Sequence, residues 1–168
     1  MAINVGDRIP EATLMQLTEK GPAPVKTGEF FKGRKVAVFA LPGAFTPTCS
    51  NQHLPGFIKS ADEFKAKGVD EIVCLSVNDA FVMGAWGKQQ GADGKVTMLG
   101  DGNGDFTKAL GLDFDGSGFG MGRRSLRYSM IVDDGVVKSL NKEPEQSDLF
   151  VLSDSLFVND IMYLGQRD

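Results

Sequence analysis

The chain has 168 residues, 42% hydrophobic and 24% charged, with 22 acidic against 18 basic side chains and a formal net charge of −4. A chain of this length buries on the order of 70% of its unfolded surface, so residues 1–168 are expected to fold as one domain without staples or metal. The acidic balance excludes a nucleic-acid stripe or an anionic membrane partner, and neither a span of about 18 apolar residues nor a secretory leader is legible.

In chain order, residues 12–17 and 24–27 read as short strands around Lys20-Gly21-Pro22, forming an N-terminal hairpin extension. Residues 35–41 (KVAVFAL) are a β-branched, aliphatic run suited to a strand covered on both faces. A loop over 42–46 follows. Residues 47–67 then repeat Leu54, Phe57, Ile58, Ala61 and Phe64 at helical steps, with Thr46 as the expected N-cap and Pro47 as the first helical residue. Pro55 lies inside that pattern and should kink or divide the helix. A second buried strand is expected over 71–77, and Asn78-Asp79 leads into a helix over 80–90. Residues 96–99 read as a strand and 106–110 as a short helix, followed by a glycine-rich loop. Residues 126–132 and 136–140 flank Asp133-Asp134-Gly135, a hairpin signal. The end, 153–163, repeats Leu156, Phe157 and Ile161 at helical spacing. Strands alternating with helices predict an α/β architecture with a central mixed sheet flanked by helices. A strand, a loop and a helix with cysteine in its first turn is the thioredoxin-like arrangement.

The chain has only two cysteines, too few for a disulfide framework, which points to a reducing, cytoplasmic setting. Cys49 falls where a helix N-terminus would favour a negative sulfur, and the thiolate is the nucleophilic form. Around it, Pro42, Gly43 and Pro47 can hold a turn whose peptide N–H groups face a small substrate. Thr46 adds a hydroxyl that both donates and accepts. A guanidinium would complete such a site by stabilising charge on sulfur and on a leaving oxygen. Spacing alone leaves a buried structural cysteine equally open. His53, the one histidine, stands a helical turn after Cys49, where it would face the sulfur or cap the pocket. A thiolate already formed needs no general base. One histidine and no CxxC offer no metal-ligand set.

The run Pro42-Gly43-Ala44-Phe45-Thr46-Pro47-Thr48-Cys49 resembles the peroxiredoxin signature Pro-x-x-x-Thr/Ser-x-x-Cys, in the form of the peroxiredoxin 5 and plant type II subfamily. SNQHLPGF after Cys49, CLSVND at 74–79, FVMGAW at 81–86, RYSM at 127–130 and DGVVKSLNKEP at 134–144 are similar to that subfamily in order and spacing. The resemblance implies a thioredoxin-like fold and a thiol-dependent peroxidase needing no cofactor beyond a thiol co-substrate. It implies Cys49 as the peroxidatic cysteine and Thr46 as the residue that hydrogen-bonds thiolate and peroxide. Pro42 would be the proline that shields the pocket, and Arg127 the arginine paired with sulfur. Gly43, Phe45 and His53 are candidate pocket residues. Arg123 and Arg124 are read as solvated loop residues.

Attack on a hydroperoxide would leave a sulfenic acid on Cys49 for a thiol to resolve. Cys74 is either a small core residue on its strand or an intramolecular resolving cysteine. Animal peroxiredoxin 5 carries a later cysteine, whereas SDLFVLS at 147–153 has none. Glutathione with glutaredoxin, or thioredoxin, is therefore the expected reductant. A dithiol oxidoreductase is excluded because position 52 is Gln and position 46 is Thr. A peroxide sensor or holdase chaperone using the same thiol is the alternative reading. The resemblance also implies a homodimer through loops around the active site, with Phe45, Phe81 and Phe119 as apolar contributors.

Overall fold

The computed structural model describes residues 2–47 and 49–142. The helix expected over 153–163, and the SDLFVLS segment, lie outside the described residues.

The chain begins with a hairpin of β1 (Thr13–Thr18) and β2 (Gly21–Lys26), paired antiparallel from Thr13↔Lys26 to Thr18↔Gly21. The turn is therefore Glu19-Lys20, starting one residue earlier than the Lys20-Gly21-Pro22 the sequence suggested, and Pro22 and Pro24 sit inside β2. They are tolerated because β2 is the outermost strand, where a missing N–H removes no ladder bond. A four-residue helix, α1 (Thr27–Phe30), absent from the sequence reading, leads to β3 (Lys35–Ala40).

After the Pro42–Thr46 loop, Cys49–His53 form a π-helical turn, and α2 (Leu54–Ala66) begins directly after it. Pro55 thus divides the helix, as expected, by leaving the preceding turn without an N–H donor at its own position. The second buried run forms β4 (Glu71–Ser76), followed by α3 (Ala80–Gln90). Asp79 caps α3 by accepting from the Val82 N–H at 2.9 Å, and Gly91 ends it with a left-handed φ of 75°. Next come β5 (Thr97–Gly100), α4 (Asp105–Leu110), β6 (Asp113–Asp115), β7 (Arg123–Ser125), β8 (Tyr128–Asp133) and β9 (Val136–Lys142).

The main sheet has the order β2-β1-β5-β4-β3-β8-β9, parallel between β3, β4 and β5 and antiparallel elsewhere. This is the mixed α/β sheet of a thioredoxin-like fold. One apolar layer, with Phe39, Phe57, Phe64, Cys74, Met83 and Trp86, packs the α2 and α3 side. The other, with Leu14, Val38, Leu75, Phe106, Leu110 and Tyr128, packs the α4 side. Because β3 and β4 are covered on both faces, nearly every residue in them is buried, which explains runs without polar alternation. β6 and β7 form a separate two-stranded sheet within the glycine-rich segment.

Candidate active site

The C-terminal end of β3 carries the loop bearing Pro42, Gly43 and Thr46. Residue 127 reaches the same end of the sheet because Tyr128 opens β8 opposite Ala40. Cys49 and Arg127, 78 residues apart, meet there: the Arg127 Nη2 donates to Cys49 Sγ at 3.3 Å. Cys49 is 0% and Arg127 2% exposed. A guanidinium out of water is costly unless hydrogen-bond acceptors face it, and the sulfur is one of the acceptors that faces Arg127.

His53 is also wholly buried, and its Nδ1 lies 2.7 Å from the Arg127 Nη1. Guanidinium nitrogens only donate, so Nδ1 accepts and the ring proton is on Nε2. Burial first, and the Arg127 charge second, hold the His53 imidazole well below its usual range, which keeps it neutral. The sequence left His53 either facing the sulfur or capping the pocket; the structure instead puts it beside the Arg127 guanidinium. It packs at 5.0 Å from the Phe39 ring and 5.5 Å from the Phe57 ring.

The Thr46 hydroxyl donates to the Gly43 carbonyl at 2.7 Å. Its carbonyl accepts from the Ser50 N–H at 2.9 Å and opens the helical segment. With its proton committed, the hydroxyl oxygen keeps its lone pairs for an incoming O–H. Phe45 takes a left-handed φ of 66° and turns a half-exposed ring toward Trp86, centroids 6.3 Å apart.

Cys74 sits in β4 opposite Phe39, fully buried in the same apolar layer as Cys49. Both cysteines are free. Burial, and then the nearby Cys49, push the Cys74 thiol well up, so it stays protonated. Among the described residues, no group of three His, Cys, Asp or Glu side chains is arranged to hold a metal ion.

Three groups around the loop escaped the sequence reading. The Asn78 Oδ1 accepts from the Ala44 N–H at 3.0 Å and from the Ser76 hydroxyl at 2.7 Å. Trp86 Nε1 donates to Ser50 Oγ at 3.0 Å. Arg124 is a correction. It lies on a strand, half-buried, and its Nη1 donates to the Pro42 carbonyl at 3.4 Å. Strand alternation separates it from Arg123, whose exposed side chain pairs with Asp113 at 3.3 Å. Asn78 lies within CLSVND and Arg124 beside Arg123, but neither segment says which loop it serves.

Comparison with known proteins decides the family. The Redoxin family model matches residues 4–155. The chain is 50% identical over 147 residues to peroxiredoxin-2E, chloroplastic, of Arabidopsis thaliana, covering 84% of this chain and 62% of that relative.

The chain belongs to the peroxiredoxin family.

It is also 54% identical over 133 residues to peroxiredoxin sll1621 of Synechocystis, covering 76% of this chain and 70% of that one. These similarities place it with the plant type II peroxiredoxins, although it spans under two thirds of the Arabidopsis relative's length. The reduced Prx3 of Vibrio vulnificus in complex with hydrogen peroxide superposes with a TM-score of 0.86 at 52% identity. That match covers 95% of this chain and 99% of the other. No helix among the described residues is long and apolar enough to cross a membrane.

Proposed function

We propose that this peroxiredoxin is a thiol-dependent peroxidase that reduces hydrogen peroxide and alkyl hydroperoxides at Cys49. The observation that carries the reading is the buried Arg127 guanidinium, joined to Cys49 Sγ on one nitrogen and to neutral His53 on another. The thiolate attacks one peroxide oxygen. The S–O bond forms as the O–O bond breaks, and sulfur is oxidised by two electrons while the peroxide becomes water or an alcohol. The proton of the attacked oxygen passes to the leaving oxygen, whose developing charge Arg127 stabilises, and the sulfenate left on Cys49 takes a proton from water to become the sulfenic acid. The Thr46 oxygen accepts from the peroxide O–H, and Pro42 screens the thiolate from water.

The resulting sulfenic acid takes a thiol, releasing water and leaving a mixed disulfide that a second thiol reduces. Glutathione with glutaredoxin, or thioredoxin, is our assignment for that thiol, and no other cofactor is required. The protonated, buried Cys74 argues against direct intramolecular resolution in this conformation. Cys49 is equally buried, so an external thiol meets it only after the Cys49–His53 turn opens. Cysteine usage supports a cytoplasmic location, and the exposed Phe45, Phe81 and Phe119 support a homodimer through the loops around Cys49.

Peroxide consumption with each reductant system tests the reading. Cys49→Ser is expected to abolish turnover, while Cys74→Ser retains it with glutathione and glutaredoxin. Loss of turnover in a folded Cys74→Ser would overturn external resolution. A single rapid oxidation of the wild type with no recycling by either system would favour a sensor instead.

A further inference from the structure

We infer that Arg124 is a positioning residue for peroxide reduction, holding the 42–46 loop in its peroxide-binding shape without touching the reacting atoms. The inference rests on the peroxidase reading and adds a residue to it.

Among the described residues, three side-chain hydrogen bonds hold the loop. Thr46 Oγ1 donates to the Gly43 carbonyl from within the loop, and Asn78 Oδ1 accepts the Ala44 N–H from the end of β4. The third comes from β7, where Arg124 Nη1 donates to the Pro42 carbonyl. The same guanidinium donates from Nε to the Met121 carbonyl at 2.9 Å, so one planar group fastens the glycine-rich segment to the active-site loop. A Cβ built on Gly43 would lie 3.0 Å from Arg124 Nη1, 3.2 Å from Thr46 Cγ2 and 3.4 Å from Met121 Cε. The guanidinium therefore packs directly over the glycine, and Gly43 leaves room for it. Among the described residues, no carboxylate pairs with Arg124. Its neighbour Arg123 takes the Asp113 carboxylate, leaving Arg124 to the two carbonyls.

The geometry separates two arginine roles. Arg127 contacts the sulfur itself. Arg124 contacts the backbone that presents Thr46, and misplacement by about 1 Å in such a group can cost on the order of a hundredfold in rate. Lysine cannot reproduce the fork, because a compact ammonium lacks the planar spread that reaches both carbonyls.

Two reactions at Cys49 test this. One is oxidation by hydrogen peroxide in rapid mixing, followed as loss of free thiol. The other is alkylation by iodoacetamide across pH, which reads the thiolate without a peroxide subsite. Arg124→Met is expected to slow oxidation about tenfold or more while alkylation stays nearly unchanged, with Arg124→Lys between it and the wild type. Gly43→Ala presses the same contact from the loop side and should show the same split. It carries the test if Arg124→Met does not fold by circular dichroism. Unchanged oxidation in the folded variants, or equal slowing of both reactions, would overturn the inference. A wild type that alkylates readily but resists peroxide would remove the peroxidase reading itself, an outcome read before any variant is made.

Discussion

The site turns on one buried hydrogen bond whose direction is set by what each partner can do. Arg127 can only donate, so His53 must present a bare Nδ1, and a protonated imidazole there would place two cations in contact. The sign of the pH effect follows. The folded-state value of His53 is depressed, so its contribution to stability is intact above the unfolded value of about 6.5 and is lost as pH falls below it. Stability should decline by up to about 1.4 kcal/mol per pH unit below that point. In His53→Gln, which keeps a carbonyl acceptor without a titrating ring, that component should be missing from urea midpoints compared at pH 7.5 and 5.5. An unaltered pH profile would mean that His53 does not set it. Cys49, Thr46 and Arg127 were legible because the Pro-x-x-x-Thr-x-x-Cys and Arg-Tyr-Ser-Met runs are continuous. The role of His53 was not, since its partner lies 74 residues along the chain.

At the scale of elements, local signals translated well. The β-branched runs became β3 and β4, and α3 spans the expected 80–90 behind Asp79, with Gly91 as a C-cap the sequence reading had not marked. Elements without such signals were missed, notably α1 and the β6–β7 pair hidden among glycines. The close fit of β5 against the segment after β4 was equally invisible. A Cβ on Gly100 would lie 2.6 Å from the Asn78 carbonyl oxygen and 3.0 Å from the Asp79 carbonyl carbon. Those atoms are backbone and cannot step aside, and Asn78 also holds Ala44. Gly100→Ala should therefore cost about 1–3 kcal/mol in urea unfolding and slow Cys49 oxidation. At Gly102 the nearest atom would be 3.5 Å away, so Gly102→Ala serves as the control. Equal stability of the two variants would show that the 78–80 backbone yields freely.

For the whole molecule, the sequence carried the mixed α/β sheet through its alternation of strands and helices. It did not carry the strand order, which depends on pairings such as Met15↔Gly100 across half of the chain. Nor did it separate exposed aromatics from buried ones. Phe45, Phe81 and Phe119 are 51%, 61% and 62% exposed, on segments flanking the Cys49 loop. Apolar rings this open are where a self-complementary dimer would close. If the proposed dimer closes through this face, Phe81→Asp should lower the mass in light scattering from dimer toward monomer, and an unchanged mass would exclude that face.

The indole of Trp86, the one tryptophan of the chain, donates to the hydroxyl of the residue following Cys49. The consequence is spectroscopic. Excited at the red edge of its absorption, where tyrosine does not absorb, the protein emits from a single indole, one hydrogen bond away from the π-helical turn that the proposed resolution by an external thiol requires to open. Its colour and intensity therefore provide a label-free record of how long that turn stays open and which thiol lets it close.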